Sequence, residues 1–167
     1  FPHVQRRVAA WRDPWSDVAD TGYQIAQYLF AIGTGGWLGM GLGRGLPEKI
    51  PVVEEDFMIS AVAEELGGLF AICLILICLG CFLQFMMIAV RMQAMFYKLI
   101  AFGLGCEYIV QVLLTVGGAV KFIPLTGVTL PLVSYGGSSV AGTFILFSVI
   151  QGLYILKRNE EEEDEEK

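Results

Sequence analysis

The sequence predicts an all-α integral membrane protein: a multi-pass helical bundle of about three transmembrane helices, with a large extracytoplasmic loop and a re-entrant-like Pro/Gly segment. Three observations predict it. Of the 167 residues, 55% are hydrophobic and 17% charged, and the mean hydropathy of +0.62 is too high for an ordinary soluble domain. Leu66 to Val90 carries no charge over 25 residues, where a span needs about 20. The stretch Ile123 to Ser139, IPLTGVTLPLVSYGGSS, lies between two apolar runs, uncharged but broken by Pro124, Pro131 and the Gly136-Gly137 pair. Non-helical backbone at membrane depth is tolerated only where it is buried in protein or lines a wet cavity, so this segment predicts a site.

Residues 1–55 read as the outer loop. The chain opens with Phe1 and its early apolar residues are too scattered for a signal peptide, so a fragment or processed piece is expected. Trp11, Trp15 and Trp37 all fall here, as rings at a membrane interface do. Tyr23 to Ile32 reads as a short interfacial helix; packing against a partner explains the same aromatics equally well. Glycines recur at Gly33, Gly35, Gly36, Gly39, Gly41, Gly43 and Gly45 without a G-x-G-x-x-G frame or a Walker lysine, which argues against nucleotide binding. They fit a tight turn or a backbone that must approach a ligand or the membrane surface closely.

The remaining elements follow in order. Residues 56–90 read as the first span, 91–98 as a cytoplasmic link, and 99–120 as the second span, interrupted only by Glu107. Residues 121–139 form the extracytoplasmic or re-entrant segment, 140–156 the third span, and 157–167 an acidic cytoplasmic tail. Arg91 and Lys98 flank the link, while Lys157 and Arg158 follow the third span, which places both ends on the cytoplasmic side; Lys121 runs against this pattern. Net charge is -6, but seven of the 17 acids form the run Glu160 to Glu166, expected as a solvated, disordered tail.

Cys73, Cys78, Cys81 and Cys106 lie in apolar spans and read as buried free thiols; Cys78-x-x-Cys81 has no second pair to complete a metal site. The single histidine, His3, is given no role. Among the acids, Asp56 stands where the outer loop meets the first span, with Glu64 eight residues on. On one helix the two would lie about 12 Å apart along the axis and roughly 80° apart around it, so they do not form a glycosidase-like pair. As a bare residue, Asp56 reads first as a helix N-cap. Glu64, Glu65 and Glu107 are costly within a span and are expected to face protein or a wet cavity.

The motifs RRVAAWRDPWSDVADTGYQIAQYLFAIGTGG, GLGRG, IPVVEEDFMISAVAEELGG and IPLTGVTLPLVSYGGSS, in this order, resemble the carboxyl-terminal part of the SEDS (shape, elongation, division and sporulation) family, which includes FtsW, RodA and SpoVE. The resemblance covers nearly all of residues 6–157. It implies a multi-pass protein of the bacterial cytoplasmic membrane, a peptidoglycan glycosyltransferase that polymerises lipid II outside the membrane beside a class B penicillin-binding protein. Membrane lipid and lipid II are then the partners, and nucleic acid is not.

The family's essential acid, in T-D-F-I-F-A before E-E-L-G, falls on Asp56, where this chain reads E-D-F-M-I-S. Asp56 would be the general base that takes the proton of the attacking sugar hydroxyl. Arg44 and Lys49 are candidates for the leaving diphosphate, with a divalent cation, Mg or Mn, as the alternative. Ser134, Tyr135, Gly136, Gly137 and Ser138 would shape the wall facing the lipid-linked sugar. Two other classes stay open: a lipid II flippase, which would lean on intramembrane groups such as Glu64, Glu107 and Gln111, and a non-catalytic scaffold, for which Asp56 is dispensable.

Overall fold

The computed structural model describes residues 2–15, 22–45, 57–124 and 126–165, and every regular element among them is an α-helix. The order is α1 (Pro2–Arg12), α2 (Tyr23–Gly35), α3 (Met58–Glu65), α4 (Gly68–Arg91), α5 (Met95–Ala119) and α6 (Gly137–Glu165). Helices α4, α5 and α6 are long and apolar enough to cross a membrane. At 1.5 Å per residue, the 24 residues of α4 rise about 36 Å, more than the ~30 Å hydrocarbon core.

The core of the bundle is where the three spans exchange aromatic rings. Phe85 of α4, Tyr108 of α5 and Phe147 of α6 form a triangle of edge-to-face contacts with centroids 5.2 to 5.8 Å apart. Ring quadrupoles favour that arrangement over face-to-face stacking. Gly105 lets α4 come close to α5, since a Cβ there would strike the terminal methyl of Met86. Outward residues such as Leu76, Ile77 and Val90 are exposed and apolar, as a lipid-facing surface requires.

Four boundaries differ from the sequence expectation. The expected single element 56–90 is two helices, α3 and α4, parted at Gly67, whose φ of +92° no ordinary helix accommodates. The link expected at 91–98 is only Met92 to Ala94, because Met95–Lys98 already belong to α5. Helix α1 lies in a stretch read as loop. Finally, the acidic run is helical to Glu165 and not a disordered tail over those residues. Ion pairs one turn apart, Lys157 to Glu161 and Arg158 to Glu162, each at 3.2 Å, offset the repulsion among its carboxylates.

The Gln93 amide donates to the Glu160 carboxylate at 3.4 Å, which puts the end of α6 beside the α4–α5 link. The basic residues Arg91, Lys98, Lys157 and Arg158 therefore gather at one end of the bundle. Helices α2 and α3 pack on each other at the opposite end, over a small core of Ile25, Tyr28, Ala31 and Phe57. Of the tryptophans, Trp11 donates its indole N–H to the Lys121 carbonyl at 3.0 Å, Trp15 meets Phe30 edge-on, and Trp37 is exposed.

Candidate functional site

The glycine run has a specific task at the α3–α4 break. Where two helices part, the last carbonyls of one and the first amides of the next lose their intrahelical partners. The 36–41 backbone supplies both. Met40 and Gly41 amides donate to the Glu64 and Glu65 carbonyls at 2.9 and 3.0 Å, while Gly68 and Leu69 amides donate to the Gly36 and Trp37 carbonyls at 2.8 and 3.3 Å. Backbones this close leave no room for side chains. A Cβ at Gly35 would strike the Ala63 carbonyl, one at Gly39 the Glu65 carbonyl, and one at Gly67 the Trp37 carbonyl. The run does turn, at 36–38 and 42–44, and the close approach that its glycines make is to backbone, which the sequence readings did not foresee.

The described residues on either side of 46–56 are held by two separate sets of contacts. On the entering side, Gly43 donates its amide to the Glu65 carboxylate at 3.2 Å, and Gly45 sits against the Glu64 side chain, whose Cδ is 3.2 Å from where a Cβ would stand. On the leaving side, Phe57 is buried and stacks on Tyr28, with centroids 4.8 Å apart and planes 19° from parallel. Burial pushes the Tyr28 hydroxyl up to about 12. Phe57 occupies the cap position of α3, and the N-cap expectation for Asp56 falls on a residue that is not described. Asp56 and Lys49 themselves lie outside the described residues.

The Pro/Gly segment folds back into the bundle, as a re-entrant element does. The Gln111 amide donates to the Thr129 carbonyl at 3.0 Å and to the Ser139 hydroxyl at 3.4 Å, and Thr129 donates to Ser139 at 2.6 Å. Thr115 donates to the Val128 carbonyl at 2.8 Å. Gln111 lies eight residues before the end of α5, so the segment descends about 12 Å alongside that helix. Leu130 is buried in the bundle core at its tip. Two non-glycine residues in left-handed backbone flank the descent, Lys121 (φ 60°) and Leu132 (φ 62°); such conformations cost on the order of 1 kcal/mol or more each.

The sequence-predicted residues fare differently. Ser134 is buried and its hydroxyl accepts from the Leu130 amide at 3.1 Å, which commits it to closing the turn. Tyr135, Gly137 and Ser138 are exposed, and the Gly136 carbonyl accepts from the Val140 amide at 2.8 Å to start α6. Arg44 is exposed, its amide tied to the Gly41 carbonyl at 3.0 Å. Among the described residues no hydrogen bond or ring contact joins Arg44 to 134–138. Only Cys78 of the four thiols is buried; Cys73 is exposed, and Cys81 and Cys106 are half-buried. Sequence reasoning passed over Thr115 and Thr129, although hydroxyl residues in or beside an apolar run are the signal that would have found them.

The FtsW/RodA/SpoVE family model, described as cell cycle protein, matches residues 2–159. The chain belongs to this family. A peptidoglycan glycosyltransferase RodA of Mycobacterium bovis is 41% identical over 150 residues, which are 90% of this chain and 32% of the relative. A probable peptidoglycan glycosyltransferase FtsW of Aliivibrio salmonicida is 40% identical over 161 residues, 92% of this chain and 39% of that protein. A second probable FtsW, from Lactococcus lactis, is 37% identical over 142 residues, 84% of the chain and 34% of the relative. The chain thus spans about a third of the length of the curated relatives it matches. With three apolar helices long enough to cross a bilayer, this FtsW/RodA/SpoVE member is a helical membrane protein.

Proposed function

We propose that this region is the carboxyl-terminal part of a peptidoglycan glycosyltransferase that polymerises lipid II at the outer face of the bacterial cytoplasmic membrane, in cell division or cell-shape growth. The observation that carries the reading is the match, over 90% or more of this chain, to relatives named for that activity. The Gly43–Glu65 bond beside the lock and the Tyr28–Phe57 stack support it, because they hold the described residues on either side of the stretch with Asp56.

Chain growth requires a sugar hydroxyl to attack the anomeric carbon of the lipid-linked donor, losing its proton as a polyprenyl diphosphate departs. Asp56 is the base that accepts this proton. Arg44 and Lys49 lie in the stretch before it, and their charge neutralises the departing diphosphate. A divalent cation, Mg or Mn, is the alternative to those side chains as the counter-charge for the diphosphate. Ser134 holds the turn that presents Tyr135 to Ser138 at the outer end of the re-entrant segment, facing the lipid-linked sugar. A class B penicillin-binding protein is the partner that crosslinks the product. Gln111, which a lipid II carrier would need along its path, instead spends its amide holding the re-entrant segment, and that favours the enzyme over the flippase.

The test is lipid II polymerisation by the membrane-embedded protein with its cognate penicillin-binding protein, comparing wild type with Asp56→Asn. Loss of glycan product from an assembled complex is expected. Undiminished product would sink the base and bring back the flippase and scaffold readings.

A further inference from the structure

Glu107 has no part in the proposed reaction, yet it sits in the costliest place for a carboxylate. Twelve residues of α5 separate it from Met95 and twelve from Ala119, so it lies about 18 Å from either end of the span, at the middle of a bilayer. Its side chain is exposed, and among the described residues nothing donates to it or pairs with it. It rims a crevice of about 300 Å³ between α5 and α6, whose polar lining includes Gln111, Ser139 and Thr143 beside the open backbone of Gly142. Gln111 and Ser139 are already bonded within the segment described above, and Thr143 donates to the Ser139 carbonyl at 2.8 Å. The carboxylate is thus the one unsatisfied charge along this crevice.

A charged group at mid-bilayer pairs with another charge or faces water or protein. This chain cannot supply the countercharge from a second copy of itself. Its 11 lysines and arginines lie in the outer loop, in the acidic tail or within a few residues of span ends, and none is near mid-depth. The relatives are about three times as long as the region matched here, which leaves room for further membrane helices beside these three.

We propose that the α5–α6 crevice seats a transmembrane helix from outside residues 1–167, one that carries a lysine or arginine at mid-bilayer depth and ion-pairs with Glu107. Gly142 and Ser139 are small enough to let that helix approach closely, as small residues do at helix contacts in membranes.

A lipid-soluble carbodiimide tests this, since it captures protonated carboxyls from within the bilayer. Native membranes holding the protein are treated before and after dissolution in a denaturing detergent, and the Glu107 peptide is read by mass spectrometry, with Glu107→Gln as the blank. A carboxyl facing lipid stays protonated and labels, whereas an opposite charge within reach favours the ionised form by about tenfold or more, so intact membranes should show no more label at Glu107 than the denatured sample, in which it meets water. More label in the intact membranes than after denaturation would overturn the proposal and leave Glu107 facing lipid.

Discussion

The two ends of this molecule are held together by opposite means. The three-span bundle is specified by what its side chains fill: Phe85, Tyr108 and Phe147 interlock, and Leu130 plugs the core from the re-entrant segment. The outer end is specified by what its residues lack. At Gly35, Gly39 and Gly67 the missing Cβ lets one backbone serve as the hydrogen-bonding continuation of another. A packed core tolerates exchanges of similar volume, whereas a backbone junction tolerates no added atom at all.

The largest effect expected from this contrast is at Gly39→Ala. It combines φ of +77° with a Cβ driven into the Glu65 carbonyl, and should cost about 3 kcal/mol or more locally. Hydrogen exchange at the Met40 and Gly41 amides reads it directly, since both donate across the junction. Gly43→Ala is the internal control. Its φ is +72° but nothing lies within 4 Å, so only the left-handed penalty of about 1 kcal/mol applies. Equal loss of protection in the two variants would erase the distinction between a lock and an ordinary turn.

In the bundle, Phe85→Ala should cost about 3 kcal/mol, the lower part of the soluble-core range, because lipid supplies no hydrophobic drive between apolar helices. Unfolding titration in mixed micelles would measure it, and the outer amides should keep their protection. Gln111→Leu comes next, at about 1 kcal/mol, the usual scale of a hydrogen bond between membrane segments. Its readout is local: a cysteine placed at Thr129 should react faster with a water-soluble thiol reagent once the amide is gone. The smallest effect belongs to the tail. Lys157→Ala with Arg158→Ala should shorten α6 at its acidic end, each pair contributing about 0.3 to 0.5 kcal/mol, with the wild-type helix itself fraying as salt rises. Helicity of the tail unchanged by either treatment would mean that the pairs at 3.2 Å contribute nothing.

The same contrast explains what could be read from the sequence. The spans were legible because a bilayer imposes length and apolarity on contiguous residues, and the re-entrant segment because Pro124, Pro131 and Gly136-Gly137 exclude continuous helix. The helix break at Gly67 was not legible: Leu66 and the two glycines after it are uncharged and continue the apolar run, so hydropathy passes smoothly through the junction. The lock hid for a similar reason. Pairing between residues 36–41 and 64–69 is long-range backbone bonding, and no side-chain pattern encodes it. Ser134 was correctly singled out as part of the segment, but its commitment to the Leu130 amide depends on a turn visible only in three dimensions. The helical acidic run defied its composition because Lys157 and Arg158 stand one turn before Glu161 and Glu162.

The proposed function makes the glycine lock a support for the described residues that precede the stretch carrying Asp56. The most direct measurement is glycan-strand synthesis from lipid II by membrane-embedded Gly39→Ala and Gly43→Ala proteins, each assembled with the cognate penicillin-binding protein. The account predicts that Gly39→Ala loses most of its product while Gly43→Ala keeps most of it. Equal product from the two would contradict it.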